Sequence, residues 1–383
     1  MEGGILVNLF SFTPRSATGV FVYVDNLLRE LVRLDNECTY WIVVREDMYR
    51  YLRNILGYRE NVKFIVFGKF AFFLPRVAAR LLRKRSIVEA VMCKQFQEAI
   101  NQYGIRLVFF PSGSLIPQGL HGVKTVVTLY DLQYEYFPEN FPPQYLKTRR
   151  EGNRNAALRS DHVLAISEFT KKTLIEKYGT DEGKITVTHL APQTFPEPEP
   201  TPLPGQFIFY PAGLWPHKNH LVLLRALIML KDKFPALHLV LTGIDKWHEI
   251  LKGLRREAER SGVADRINYL GHVRNGVLHY IYKNVAALVF PSGFEGFGVP
   301  LVEAFALGVP VIAADNTSIP EVIGGAGLLV PTGDVQALAG AIERVLTDQK
   351  LRSELIAKGY ERAKLFSWEK TARETLSVFD NLI

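Results

Sequence analysis

The sequence predicts an α/β protein built as two doubly wound domains, each with a parallel sheet at its centre. Three observations predict it. Short apolar runs of strand character alternate with helical periodicity along the whole chain. One proline-dense stretch near the middle interrupts the alternation. A length of 383 residues exceeds what one ordinary core serves and suits two domains of roughly 150–200 residues.

The first strand is Ile5-Leu6-Val7-Asn8-Leu9-Phe10, followed by a helical pattern near Phe21 to Leu34 and a second strand at Trp41-Ile42-Val43-Val44. Leu107 to Phe110, Thr125 to Thr128 and His162 to Ile166 continue the series. Apolar runs this short, spaced by helical patterns, are expected of strands in a parallel sheet. Between Ala191 and Gly205 stand Pro192, Pro196, Pro198, Pro200, Pro202 and Pro204, a stiff stretch expected to link the domains. The pattern then restarts with Phe207 to Tyr210, His238 to Leu241, Ile267 to Leu270, Ala286 to Phe290, Val309 to Ala314 and Gly327 to Val330. Residues 1–195 and 206–366 are the expected domains.

Two cysteines, Cys38 and Cys93, are too few for a disulfide framework or a zinc cluster and suit a reducing, cytoplasmic setting. The opening residues lack the basic start of a secretory signal, and no apolar run approaches the ~18 residues of a membrane span. The net charge of +7 is concentrated: residues 69–85 hold Lys69, Arg76, Arg80, Arg83, Lys84 and Arg85 and no acidic residue. Leu74, Val77, Ala78, Leu81 and Leu82 would form an apolar stripe on a helix started by Pro75. Such a helix covers its own domain or lies on an anionic membrane at its inner face. Nucleic acid is disfavoured, because neither an aromatic-interleaved groove nor a DNA-binding motif accompanies the charge.

The most informative segment runs Phe290-Pro291-Ser292-Gly293-Phe294-Glu295-Gly296-Phe297-Gly298-Val299-Pro300-Leu301-Val302-Glu303-Ala304. It reads as the end of a buried strand, a glycine turn, and a helix with Pro300 expected at its first position. Gly296 and Gly298, lacking β-carbons, let backbone approach a ligand, and the amides of a helix start suit phosphate. Glu295 in the loop and Glu303, expected in the first helical turn, add carboxylates that accept hydrogen bonds from sugar and ribose hydroxyls. Compensation of the helix dipole is the competing reading of Glu303.

Glu295, seven intervening residues and Glu303, enclosing Gly296-Phe297-Gly298, resemble the donor-binding signature of the retaining glycosyltransferases of family 4. Trp215-Pro216-His217-Lys218-Asn219 is similar to that family's phosphate loop. Ala165-Ile166-Ser167-Glu168-Phe169-Thr170-Lys171 is similar to its last strand-to-helix junction in the first domain, and Thr128-Leu129-Tyr130-Asp131-Leu132 to its acceptor-side turn. The resemblance implies the GT-B fold, two Rossmann-like domains facing a central cleft, with the final helix, residues 367–383, packing back on the first domain. It implies that Lys218 neutralises the departing diphosphate, Glu295 holds the donor sugar and Glu303 the ribose. Gly213, His217 and the backbone of Phe297, Gly298, Val299 and Leu301 would line the donor site, and Gly19 would let backbone approach the diphosphate. Tyr130 and Asp131 would face the reacting sugar and acceptor; taken alone, Tyr130 is as readily a packing residue, and Asp131 a cap of its own turn.

Two residues depart from the pattern. Leu214 stands where an arginine is common, and Tyr130 where a histidine is common. No Asp-X-Asp triplet occurs, which removes the usual carboxylate pair for a divalent metal, and no cofactor is expected. The function expected is transfer of a hexose from a nucleotide-diphosphate sugar, GDP-mannose ahead of a UDP-sugar, to a hydroxyl acceptor such as a lipid-linked or growing surface polysaccharide. The alternative is an inactive nucleotide-sugar-binding or scaffold partner of an active transferase. A glycoside hydrolase using the two glutamates has no use for the phosphate turn. A nicotinamide enzyme would need a third glycine where Leu301 stands, and a P-loop fails at Gly183-Lys184-Ile185.

Overall fold

The structure, a computed structural model, describes residues 4–13, 19–67, 86–245 and 248–383. The basic segment 69–85 therefore lies outside the described residues. The chain divides into two compact units, Met1–Leu190 with Trp368–Ile383, and Ala191–Ser367.

The first unit carries β1 (Gly4–Asn8), β2 (Thr39–Arg45), β3 (Val62–Phe67), β4 (Ile105–Phe110), β5 (Lys124–Leu129), β6 (His162–Ala165) and β7 (Ile185–Val187). They form one sheet in the order β3-β2-β1-β4-β5-β6-β7, with every pairing parallel. Helices cover both faces, so the central strands are apolar at successive positions rather than at alternate ones. Leu6, Val108 and Phe110 join the core built with Phe96, Ile100, Ala156 and Leu174. Val7 and Phe109, one residue out of step, point the other way, toward Leu27, Leu28 and Leu31 of α1 (Gly19–Leu34). Two strands have no counterpart in the sequence reading: β3, at the sheet edge and half-exposed, and β7, only three residues long.

The second unit carries β8 (Gln206–Pro211), β9 (Leu237–Thr242), β10 (Ile267–Tyr269), β11 (Ala287–Phe290), β12 (Val311–Ala314) and β13 (Leu328–Val330), ordered β10-β9-β8-β11-β12-β13 and again parallel. The order reverses between β8 and β11, and in such sheets ligands collect at the carboxyl ends of the strands flanking that point. The turns after β8 and β11 are the two that hold Lys218 and Glu295.

The proline-dense stretch belongs to this unit and is more than a tether. The Glu199 amide donates to the Gly276 carbonyl at 2.9 Å, and His279 Nδ1 donates to the Pro196 carbonyl at 2.7 Å. It lies as a strap along the helix Asn275–Asn284.

The last helix, Trp368–Leu382, packs against α1 in the first unit. Phe379 meets Phe109 edge-on at 5.3 Å, and the Thr371 hydroxyl donates to the His189 carbonyl at 2.6 Å. No helix among the described residues is long and apolar enough to cross a membrane.

Candidate functional site

Pro211 ends β8, and the chain turns through Ala212, Gly213 and Leu214 before one 3-10 turn, Pro216–Lys218, leads into the helix His220–Leu230. The turn is pinned from β9, with the Ala212 amide donating to the Thr242 carbonyl and the Leu214 amide to the Ile244 carbonyl, each at 3.0 Å. The departure at Leu214 has a simple outcome: its side chain is buried, 4% exposed, and fills core. Gly243 makes this close passage possible. Its φ is +128°, and a β-carbon there would stand 2.4 Å from the Ala212 oxygen.

Two contacts tie the Lys218 turn to the glycine turn after β11. The Gly293 amide donates to the His217 carbonyl at 2.7 Å, and Asn219 Nδ2 donates to the Pro291 carbonyl at 3.0 Å. Asn219 itself takes the left-handed backbone, φ 54°, a region that asparagine tolerates well. The two loops thereby bring Lys218 Nζ to Glu295 Oε1 at 2.5 Å, both side chains mostly buried. A cation and a carboxylate thus meet at the switch point.

The same place holds two histidines that burial keeps neutral. His217 is pushed down to about 3, first by burial and then by the Lys218 charge, and its Nδ1 has no partner among the described residues. His220, at 2% exposure, is pushed down to about 4; neither ring nitrogen makes a full hydrogen bond, although the Ala212 backbone nearby offsets part of the shift.

The Glu295 loop is also held from its far side. Thr317 Oγ1 accepts from the Glu295 amide at 3.1 Å, and Ser318 Oγ donates to the Glu295 and Phe297 carbonyls at 3.1 and 3.2 Å. Asn316 Nδ2 donates to the Ser292 carbonyl at 2.9 Å. Thr317 holds φ at 50°, where a β-branched residue is rare and backbone strain marks functional loops. Gly298, φ +99°, precedes the helix Val299–Ala306.

That helix departs from expectation in three respects. It begins at Val299, so Pro300 is its second residue. Glu303 therefore falls in the second turn, outside the reach of first-turn dipole compensation. The Leu301 amide, expected on the ligand side, donates to the Gly298 carbonyl at 2.9 Å, while the Val299 amide is among those a helix start leaves without an intrahelical acceptor.

Glu303 is 4% exposed. Its Oε2 accepts from the Tyr282 hydroxyl at 3.0 Å and its Oε1 from Gln193 Nε2 at 2.9 Å. Burial pushes its carboxyl up to about 7, against the pull of both donors.

In the first unit, the Tyr130 hydroxyl donates to the Pro111 carbonyl, and its ring meets Tyr23 edge-on at 5.5 Å. This is the packing arrangement, with the hydroxyl spent inside its own unit. Asp131 Oδ1 accepts from the Gln133 amide at 3.1 Å, capping its own turn. Gly19 starts α1, and a β-carbon there would meet nothing within 4 Å among the described residues. Ser167 caps the helix Glu168–Tyr178 by accepting from the Thr170 amide at 3.0 Å, as expected of a Ser at a strand-to-helix junction.

Gln193, Tyr282, Gly243 and the Asn316-Thr317-Ser318 run went unmarked in the sequence. The last had a visible signal, a polar run directly after the strand next to β11. Among the described residues no group of three or more His, Cys, Asp or Glu side chains is placed to hold a metal ion.

Residues 17–191 match the family described as Glycosyltransferase Family 4, and residues 193–362 match Glycosyl transferases group 1. Over 272 residues, 67% of this chain and 70% of the relative, the sequence is 30% identical to the O-antigen chain mannosyltransferase B of Escherichia coli. It is 31% identical over 182 residues, 47% of this chain, to the serotype-specific mannosyltransferase WbdA of Escherichia coli, of which it spans 22%. The fold is similar to that of the Anabaena protein HepE, solved in complex with UDP and glucose, at a TM-score of 0.74 and 18% identity, covering 99% of this chain and 100% of the other.

Proposed function

The chain belongs to glycosyltransferase family 4, with the GT-B fold of two Rossmann-like domains, and on that premise we propose that it moves mannose from GDP-mannose to a hydroxyl of a lipid-linked or growing surface polysaccharide. The mannosyltransferase relatives support the sugar, and a UDP-sugar is the other candidate donor. Transfer is with retention and without a metal, as the family resemblance implies.

In this reaction the bond between the anomeric carbon and the diphosphate oxygen breaks. The acceptor oxygen bonds to that carbon on the same face, and its proton leaves with the phosphate. The protein's part is positioning and charge. Lys218 neutralises the diphosphate as it departs, helped by the Val299 amide and by a neutral His217. Glu295 orients Lys218 and accepts from the sugar's hydroxyls, and Glu303 accepts from the ribose. The observation that carries the reading is the Lys218–Glu295 pair at 2.5 Å within a phosphate-type turn.

Melting the protein with UDP, GDP and ADP, with and without EDTA, tests it. An EDTA-insensitive shift with GDP, followed by transfer from GDP-mannose, is the expected result; no shift at millimolar nucleotide would overturn the donor site. The turned-in Tyr130 hydroxyl favours the second reading, an inactive binding partner, which predicts nucleotide binding without transfer to any acceptor. The basic segment 69–85 supports work at the cytoplasmic face of a membrane, and co-sedimentation with vesicles containing anionic lipid, weakened when its arginines are replaced by Gln, is the expected outcome.

A further inference from the structure

The strap of prolines that runs along the helix Asn275–Asn284 brings one side chain, Gln193, into hydrogen-bond contact with Glu303. A carboxylate only accepts hydrogen bonds, so the Gln193 amide nitrogen must face it, and the amide oxygen is left to accept from Asn275 Nδ2 at 2.9 Å. Gln193 is thereby fixed at both ends. On the other side Tyr282 donates to the second carboxylate oxygen at 3.0 Å, and Phe195 packs on Tyr282 with ring centroids 5.8 Å apart.

Each carboxylate oxygen has two acceptor positions. Gln193 takes one on Oε1 and Tyr282 one on Oε2, which leaves one on each, the number that two neighbouring hydroxyls of a ribose require. Resting on the donor-site reading above, we propose that Gln193 is a positioning residue of that site: it holds Glu303 so that its two remaining acceptor positions select a ribose diol, and it brings the strap into that selection.

Glu303's own titration supplies a readout that a role in packing alone would not move. Gln193 donates to the charged form, so its loss pushes the Glu303 carboxyl further up. Tyr282 is the titratable group that faces Glu303, and it is kept neutral by burial; His279, on the same helix, is turned to the Pro196 carbonyl.

The test uses the full chain and whichever of UDP, GDP or ADP binds it most tightly, together with the 2′-deoxy and 3′-deoxy forms of that nucleotide, titrated between pH 5.5 and 8.5. Gln193→Leu is expected to weaken the ribonucleotide roughly tenfold. It is also expected to narrow the preference over the deoxy forms and to move the midpoint of the pH dependence upward, with Gln193→Glu failing to rescue it because two carboxylates then face each other. A Gln193→Leu protein that keeps the ribose preference and the pH midpoint of the parent overturns the proposal, whatever its melting temperature. If the parent binds none of the three nucleotides, the donor-site reading fails first and takes this one with it. If the parent binds and the Gln193 variants behave as the parent does, the donor site stands and the assignment to Gln193 falls.

Discussion

Burial holds the Glu303 carboxyl up at about 7, against an ordinary 4.5, even though Tyr282 and Gln193 both donate to it. A carboxyl raised in the folded chain adds nothing against stability below about pH 4.5, where folded and unfolded states are both protonated. Between about pH 4.5 and 7 the unfolded chain gives up this proton while the folded one holds it, so stability falls by about 3 kcal/mol across that window and no further above it. Glu303→Gln is therefore expected to melt above the parent protein at pH 8, with the gain shrinking towards pH 4.5, while nucleotide binding falls most above pH 7, where the parent carries the charge. A melting curve at each pH and one binding titration check both halves. The parent's nucleotide affinity should decline below about pH 7, as the carboxyl loses its acceptor capacity. Lys218→Met removes the side-chain cation paired with Glu295; transfer should drop about 100-fold or more while the fold is retained, measured as kcat/KM against far-ultraviolet circular dichroism. Tyr130→Phe, by contrast, deletes a hydrogen bond to the Pro111 carbonyl and should change transfer only a few-fold at most, because that hydroxyl is spent inside its own unit.

The elements were legible wherever strands are short apolar runs bounded by turns, which is why β1, β2, β4, β5, β6 and the strands of the second unit announce themselves. Edge strand β3 does not, since half of it is exposed and its alternation is broken, and helix starts shifted by a residue, as at Pro300, because caps depend on backbone geometry rather than residue type alone. At the site, residue types and spacing pointed to Lys218, Glu295 and Glu303, but not to their partners. Lys218 and Glu295 are 77 residues apart and meet only because two loops are tied together by Gly293 and Asn219. The glycines separate cleanly at this scale. Gly243→Ala sets a β-carbon against backbone on the neighbouring turn at a φ that side chains avoid, and should cost on the order of 3 kcal/mol by prising the ends of β8 and β9 apart. Gly19→Ala meets nothing among the described residues and should leave stability within about 0.5 kcal/mol; a fall in transfer at unchanged melting temperature would support backbone approach to the donor there.

Across the whole molecule, the first unit is closed by the last helix of the chain. Trp368–Leu382 sets Phe379 on Phe109 and Trp368 near Tyr23, whose hydroxyl shares a buried hydrogen bond with Thr128 at 3.0 Å. Ending the chain before Trp368 should lower the melting of the first unit by well over 10 °C while the Ala191–Ser367 unit, with its own sheet and core, keeps its transition, so that a single calorimetric peak splits into two. The same arrangement has a consequence during synthesis. The first unit leaves the ribosome without the helix that packs on α1 and Phe109, and it waits for Trp368–Ile383 until the intervening Ala191–Ser367 has been translated. At about 5–20 residues per second that wait is roughly 10–35 s, an interval in which the uncovered face around Phe109 is open to chaperones and to neighbouring nascent chains.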